Sequence, residues 1–196
     1  GAFQSMHGYG SSPVLYKSLV IVAGDNQGGG FLAAHHRKTG KLVWRVARKN
    51  SASFGTPIVA EIAGKTQLLL NGQDSIVSYN PENGETLWTS RGPASTTGNT
   101  MAVWSAAGGD LVFASGGYPQ SHLMAVKADG SGEVVWENDR KGYVPSLLVD
   151  RGRLFLAQDD GILRCFEAAS GKELWVQRLG GNYSASPVLA GDNIYL

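Results

Sequence analysis

The 196-residue chain is 42% hydrophobic and 17% charged, a balance typical of a globular protein and not of a disordered or membrane-spanning one. The chain has 17 Lys and Arg and 16 Asp and Glu, so its net charge is +1. This charge gives no global field that would attract nucleic acid or an acidic membrane. No apolar run approaches the roughly 18 residues of a transmembrane helix. The single Cys165 leaves no disulfide framework.

Short β-rich runs alternate with turns along the chain, and no segment keeps a helical spacing. The first two periods each predict four strands: "PVLY", "LVIVAG", "FLAAHH", "LVWRVA", then "PIVAEI", "QLLLNG", "IVSYN", "TLWTSR". The next two repeat that order: "MAVWSA", "LVFASG", "HLMAVK", "VVWEND", then "SLLVD", "LFLAQ", "ILRCFEA", "LWVQRL". The final "SPVLAGDNIYL" predicts the start of a fifth period.

One motif, a small residue followed by Gly, a charged residue, two further residues and Trp, recurs in each full period: "TGKLVW", "NGETLW", "SGEVVW" and "SGKELW". Its invariant positions are Gly40 and Trp44, Gly84 and Trp88, Gly132 and Trp136, and Gly171 and Trp175. A proline opens every period except the third, at Pro13, Pro57, Pro145 and Pro187. The repeat therefore sets the organisation of the chain.

Four short antiparallel strands repeated roughly every 40 residues predict an all-β fold of β-propeller blades. We predict one domain over 1–196, with blades at about 8–50, 51–94, 95–142 and 143–181 and a partial blade at 182–196. The motif Gly supplies the positive φ of the turn between third and fourth strands, and the Trp fills the wedge between adjacent blades. Because propellers have about 4–8 blades, we expect the chain to be part of a larger ring.

These residues resemble the PQQ-like (pyrroloquinoline quinone-type) β-propeller repeat, whose pattern runs from Ser-Pro-Val to Ala-Leu-Asp-x-x-Thr-Gly-Lys-x-x-Trp. The stretches "SPVL", "LAAHHRKTGKLVW" and "DDGILRCFEAASGKELW" match it, although His36, Asn80 and Glu167 replace the family's Asp. The resemblance covers nearly the whole chain. It implies either a quinoprotein, with pyrroloquinoline quinone and Ca²⁺ at the axis, or a BamB-like scaffold without a cofactor. It also implies a periplasmic or extracellular location, although no signal peptide is visible in the sequence.

In an up-and-down meander, the links between blades lie on the same face as the loops between second and third strands. We call this side of the molecule the loop face. The rim of this face around the propeller axis offers candidate cofactor- or ligand-binding residues: His7, Tyr9, Asn99, Tyr143, Asn182 and Tyr183. The loops between second and third strands add Asp25, Gln73, Asp74, Tyr118, His122, Asp159 and Asp160. Turns and blade starts use the same residue types, so a purely structural rim is the alternative interpretation.

No sequence motif indicates catalysis or metal binding, since HExxH, Walker, GxSxG and EF-hand patterns are all missing. His35 and His36 are adjacent on a predicted strand and point to opposite faces, so they cannot share a metal. We therefore expect a non-catalytic binding or scaffold propeller with a protein or saccharide partner and no cofactor. The alternatives are a PQQ- and Ca²⁺-dependent oxidoreductase, or an accessory sensor domain of a larger enzyme.

Overall fold

A computed structural model of the chain describes residues 8–49, 53–72, 74–93, 100–104, 110–116, 118, 120–140 and 142–196. These residues form strands and turns and no helix, which confirms the all-β prediction. It follows that none of them belongs to a helix long and apolar enough to cross a membrane.

The first two sheets are antiparallel meanders in which each strand pairs with the next along the chain. The first sheet contains β1 (Val14–Tyr16), β2 (Leu19–Ala23), β3 (Phe31–His36) and β4 (Leu42–Ala47). The second sheet contains β5 (Ile58–Ile62), β6 (Lys65–Asn71), β7 (Ser75–Tyr79) and β8 (Thr86–Arg91).

The next two sheets repeat this topology, and a two-stranded sheet follows them. The third sheet contains β9 (Thr100–Trp104), β10 (Leu111–Gly116), β11 (His122–Lys127) and β12 (Val134–Asn138). The fourth contains β13 (Leu148–Asp150), β14 (Arg153–Ala157), β15 (Ile162–Glu167) and β16 (Glu173–Arg178), and the last contains β17 (Val188–Ala190) and β18 (Asn193–Tyr195). The four-stranded sheets are propeller blades, as predicted, and they do not form a closed ring.

The hydrophobic core consists of separate layers between consecutive blades, because the sheets in the middle of the series are covered on both faces by their neighbours. Alternate residues of β6 show the principle. Leu68 and Leu70 pack against the first blade, and Leu69 packs towards the third. All three side chains are fully buried, which explains why this strand is an almost continuous apolar run.

The turn between the third and fourth strands contains a glycine with positive φ in every blade. Its glycines, Gly40, Gly84, Gly132 and Gly171, have φ values of 69°, 77°, 62° and 70°. Each turn is preceded by a register shift between the third and fourth strands. Glycine populates positive φ without the steric cost that other residues meet there. The repeated motif therefore encodes one repeated turn.

This turn also receives the tryptophan of the preceding blade. The Trp44 indole N–H donates to the carbonyl of Pro81 at 3.1 Å, and a Cβ built on Gly84 would lie only 2.7 Å from the Trp44 ring. In the same way, Trp136 donates to the carbonyl of Ala168 at 2.9 Å and packs against Gly171. The motif glycine is therefore needed twice, for its φ and for the close approach of the ring.

The contact between the second and third blades uses a glutamine relay instead. Trp88 donates to the side-chain carbonyl of Gln67 at 2.7 Å, and the Gln67 amide donates to the carbonyl of Ala128 at 2.9 Å. Ala128 occupies the position in the third-blade turn that Pro81 and Ala168 occupy in the turns of the second and fourth blades. The third turn has one more residue than the others, and its Gly132 approaches the backbone of β8 instead of an indole ring. Gln67 bridges the resulting gap.

Replacing Gln67 by Leu is expected to lower the free energy of unfolding by about 2–3 kcal/mol, because it leaves buried polar groups without partners. The orphaned groups are the Trp88 indole N–H, the Ser78 hydroxyl, which donates to Gln67 at 2.6 Å, and the Ala128 carbonyl. Urea unfolding followed by circular dichroism measures the change. The exposed Gln177→Leu is the control, and equal stability of both variants would refute the relay.

Candidate functional site

The sequence predicted six rim residues on the loop face, of which the structure describes Tyr9, Tyr143, Asn182 and Tyr183. Tyr9 and Tyr143, in the links before the first and fourth blades, are 52% and 43% exposed. Asn182 is exposed and Tyr183 is half-buried in the link before the fifth blade, where the Tyr183 backbone N–H donates to the carbonyl of Asp159 at 3.1 Å. His7 and Asn99 lie outside the described residues, as does Gln73.

A buried ion pair fixes the first loop of this face. Arg48 follows β4, and its guanidinium donates to both carboxylate oxygens of Asp25, at 2.7 and 3.0 Å. The guanidinium donates a third hydrogen bond, at 2.6 Å, to the hydroxyl oxygen of Tyr79 on the second blade. The side chains of Arg48 and Asp25 are only 7% and 4% exposed. The loop between β2 and β3 is therefore anchored to the neighbouring blade.

The electrostatics of this pair favour the charged guanidinium. Burial opposes the charge on Arg48, but hydrogen bonds and attraction from Asp25 and Tyr79 outweigh it, so the pKa of Arg48 is raised. For Tyr79, burial raises the pKa because it disfavours the phenolate, and Arg48 opposes that shift in part. Asp25, expected from the sequence on an open rim, is instead buried and fully engaged by a cation. It is not available as a metal ligand.

Two further polar side chains of the loop face, Asp74 and His122, also have close side-chain partners. Asp74 lies 3.4 Å from the ammonium of Lys49, with both side chains well exposed. His122 lies 2.9 Å from Glu137, which also accepts from Arg91 at 2.6 Å. The hydrogen bond from Arg91 lowers the pKa of Glu137. Burial opposes this shift, and the hydrogen bond with His122 adds to it. The contact between Arg91 and Glu137 joins the outer strands of the second and third blades, β8 and β12.

Sequence reasoning missed Arg48, and it also missed one buried amide. Asn71 ends β6 and is fully buried, and within the described part of the chain neither polar atom of its side chain has a hydrogen-bond partner. Its backbone carbonyl accepts from the hydroxyl of Ser53 at 3.1 Å. In the sequence, an Asn before Gly indicates a turn, so the pattern "NGQDS" gave no hint of burial. One carboxylate oxygen of Asp159 is also buried and has no hydrogen-bond partner among the residues that the structure describes.

The described residues do not fit a Ca²⁺–quinone centre of the kind the resemblance could imply. No three His, Cys, Asp or Glu side chains among them are grouped so that they could hold a metal ion. Asp25 already binds Arg48, and Asp74 faces Lys49. Cys165 is a buried free thiol whose pKa is raised by burial, and as the one cysteine of the chain it has no neighbour for a vicinal disulfide.

The sequence matches one family model, described as outer membrane protein assembly factor BamB, over residues 4–175 and 119–196. Together these two matches extend over nearly the whole chain. No curated protein matches the sequence closely enough to count as a relative.

Several solved structures share the fold. BamB from Moraxella catarrhalis is 17% identical with a TM-score of 0.64, and the match covers 94% of this chain and 57% of that one. The computationally designed protein Ika8 is 10% identical with a TM-score of 0.67, covering 93% and 53%. A europium-containing methanol dehydrogenase is 13% identical with a TM-score of 0.62, covering 85% and 41%. The chain thus spans about half the length of these proteins, and identities this low show the fold alone.

Proposed function

Because the chain belongs to the PQQ-like repeat family described as outer membrane protein assembly factor BamB, we propose that it is a non-catalytic propeller that presents its loop face to a protein partner. The observation that carries this proposal is a set of exposed tyrosines on that face. Tyr9, Tyr118 and Tyr143 are 52%, 60% and 43% exposed. Tyrosine provides a large, rigid contact area with a polar end, and it is enriched at protein interfaces.

The charges of the loop face support binding over quinone chemistry. An axial Ca²⁺ site needs carboxylates that are free to coordinate, since Ca²⁺ takes 6–8 oxygen ligands. Here Asp25 is buried and engaged by Arg48, so this carboxylate stabilises its loop instead. A rim with exposed tyrosines suits a surface that docks against another surface.

The proposal includes an extracytoplasmic location, periplasmic or extracellular. The family description refers to outer membrane assembly, and the propeller of Moraxella catarrhalis BamB shares the fold. Fractionation of cells that produce the natural polypeptide tests this location. Recovery of the protein in the cytoplasmic fraction would contradict it.

Site-specific photo-cross-linking in intact cells tests the binding face. A photoreactive phenylalanine at Tyr118 or Tyr143 is expected to join the same partner protein, identified by mass spectrometry. The control position is Leu87 on β8, an exposed apolar residue that is not on the loop face. The same protein captured at all three positions would indicate random collision, and capture at Leu87 alone would contradict the proposal.

The complete natural polypeptide provides the test against the alternatives. Titration with pyrroloquinoline quinone, with and without Ca²⁺, is expected to leave Trp fluorescence unchanged and to give no dye reduction with alcohols. Tight Ca²⁺-dependent binding with turnover would make the axial rim an active site. Cross-links at Tyr118 and Tyr143 that disappear when soluble saccharide is added would identify a saccharide ligand instead.

A further inference from the structure

The basic residues of the chain are concentrated in its first blade. Residues 8–49 contain seven Lys and Arg and one acidic residue, Asp25, whereas the rest of the chain contains ten Lys and Arg and 15 acidic residues. The next acidic residue after Asp25 is Glu61. The net charge of +1 is therefore the sum of a strongly basic first blade and an acidic remainder.

Four of the seven cations of the first blade are unpaired. The other three form the ion pairs Lys17–Glu82, Arg48–Asp25 and Lys49–Asp74. The four that form no ion pair with an acidic residue in the described part of the chain are Arg37, Lys38, Lys41 and Arg45. All four are exposed, and they lie in the turn 36–41 and in β4. We call this turn and strand the basic edge.

The basic edge also exposes apolar side chains. Leu42 and Val43 follow Lys41 directly and are 56% and 50% exposed. Two residues further on, the guanidinium of Arg45 lies 4.1 Å from the centre of the Phe31 ring. A cation over an aromatic face is held by the quadrupole of the ring, so this guanidinium is positioned in advance. The basic edge thus combines fixed positive charge with exposed apolar surface.

The basic edge stays accessible even when its blade is covered on both faces. The second blade shows this, because the first and third blades pack against its two sides. Glu85 and Thr89 occupy the same positions after the motif glycine as Lys41 and Arg45 do, and both are exposed. The packing of a further sheet against the first blade would therefore leave these cations at the surface.

We propose that the basic edge is a second docking surface, separate from the loop face, which binds an acidic segment of a partner protein. Carboxylates of the segment pair with Lys41 and Arg45, and its apolar side chains cover Leu42 and Val43. The turn cations Arg37 and Lys38 attract the segment and orient it.

The surroundings of the basic edge favour a narrow protein segment over an anionic membrane. In the turn of the neighbouring second blade, Glu82 and Glu85 are exposed. A flat anionic surface would meet these carboxylates together with the cations, and like charges oppose such contact. A single segment contacts the first blade alone. Exposed Leu42 and Val43 also favour a peptide over an inorganic polyanion, which has no apolar side chains to cover them.

Fluorescence anisotropy with the complete natural polypeptide tests this proposal. The probe is a labelled peptide in which glutamate alternates with valine, and the control probe has glutamine in place of glutamate. Lys41→Glu/Arg45→Glu is expected to weaken binding of the glutamate peptide by about tenfold or more. The matched control is Lys65→Glu/Lys172→Glu, which changes the net charge equally at two exposed residues outside the basic edge. This control is expected to bind the peptide as the unaltered protein does.

Three results would overturn the proposal. The first is the absence of peptide binding, or equal binding of the glutamate and glutamine peptides. The second is equal affinity of the two double variants, which would show that only net charge matters. The third uses vesicles made of equal parts phosphatidylcholine and phosphatidylglycerol. If the protein sediments with these vesicles, loses that ability in Lys41→Glu/Arg45→Glu and binds no peptide, the basic edge is a lipid-binding surface instead.

Discussion

Replacing Asp25 by Ala is expected to lower the free energy of unfolding by about 3–5 kcal/mol, the usual effect of removing one partner of a buried ion pair. The loss is large because the Arg48 guanidinium stays buried, keeping only its 2.6 Å bond to Tyr79 and losing both bonds to the carboxylate. Urea unfolding monitored by far-ultraviolet circular dichroism measures it.

The double variant Asp25→Ala/Arg48→Met identifies the cause of that loss. Removing both charges is expected to restore much of the stability, since apolar replacement of a buried pair is often close to neutral. Asp74→Ala is the control for an exposed pair and is expected to change stability by less than about 1 kcal/mol. If Asp25→Ala were as mild as Asp74→Ala, the carboxylate would not be anchoring the loop.

Trp88→Ala is also expected to lower the free energy of unfolding by about 3–5 kcal/mol, the usual effect of truncating a buried tryptophan. The indole is 6% exposed and packs in the layer between the second and third blades, near Met101 and Met124. Its removal leaves a cavity there and takes one of two hydrogen-bond donors from the side-chain carbonyl of Gln67, which keeps only Ser78. The same unfolding measurement gives the change.

Leu87→Ala is the matched control for Trp88→Ala. Leu87 is the preceding residue on β8, and its side chain points to the other face of the strand, where it is 39% exposed. We expect a change below about 1 kcal/mol for this variant. A Trp88→Ala loss of similar size would mean that the tryptophan is not a wedge between blades.

The blade pattern was accessible from the sequence because its determinants are local. Period-two alternation, turn glycines and the recurring motif depend on residues a few positions apart, and the strands from β1 (Val14–Tyr16) onwards follow them. The loop face was also accessible in outline, because a meander fixes which connections share a side. Tyr9 and Tyr143 are exposed on it.

The contacts between blades were not accessible, because their partners are far apart in sequence. The sequence predicted Asp25 to be an exposed loop residue. In the structure it binds Arg48, which also binds Tyr79, and both residues are more than twenty positions away in the sequence. In the sequence, Gln67 is simply the polar first residue of a predicted strand. Only its hydrogen bond to the carbonyl of Ala128, in the longer turn of the third blade, shows why an amide is needed there. No local pattern indicates such pairs.

The sequence by itself therefore determined the repeat, the all-β class and the identity of the turn that carries each motif glycine. Short-range backbone preferences and side-chain alternation are sufficient for these. Only the tertiary structure decided that Gly84 and Gly171 lie against the indole rings of Trp44 and Trp136, whereas among the described residues no atom lies within 4 Å of the Cβ position at Gly40. The four copies of the motif share the glycine and the tryptophan, and their sequences alone do not show which neighbouring blade packs against each.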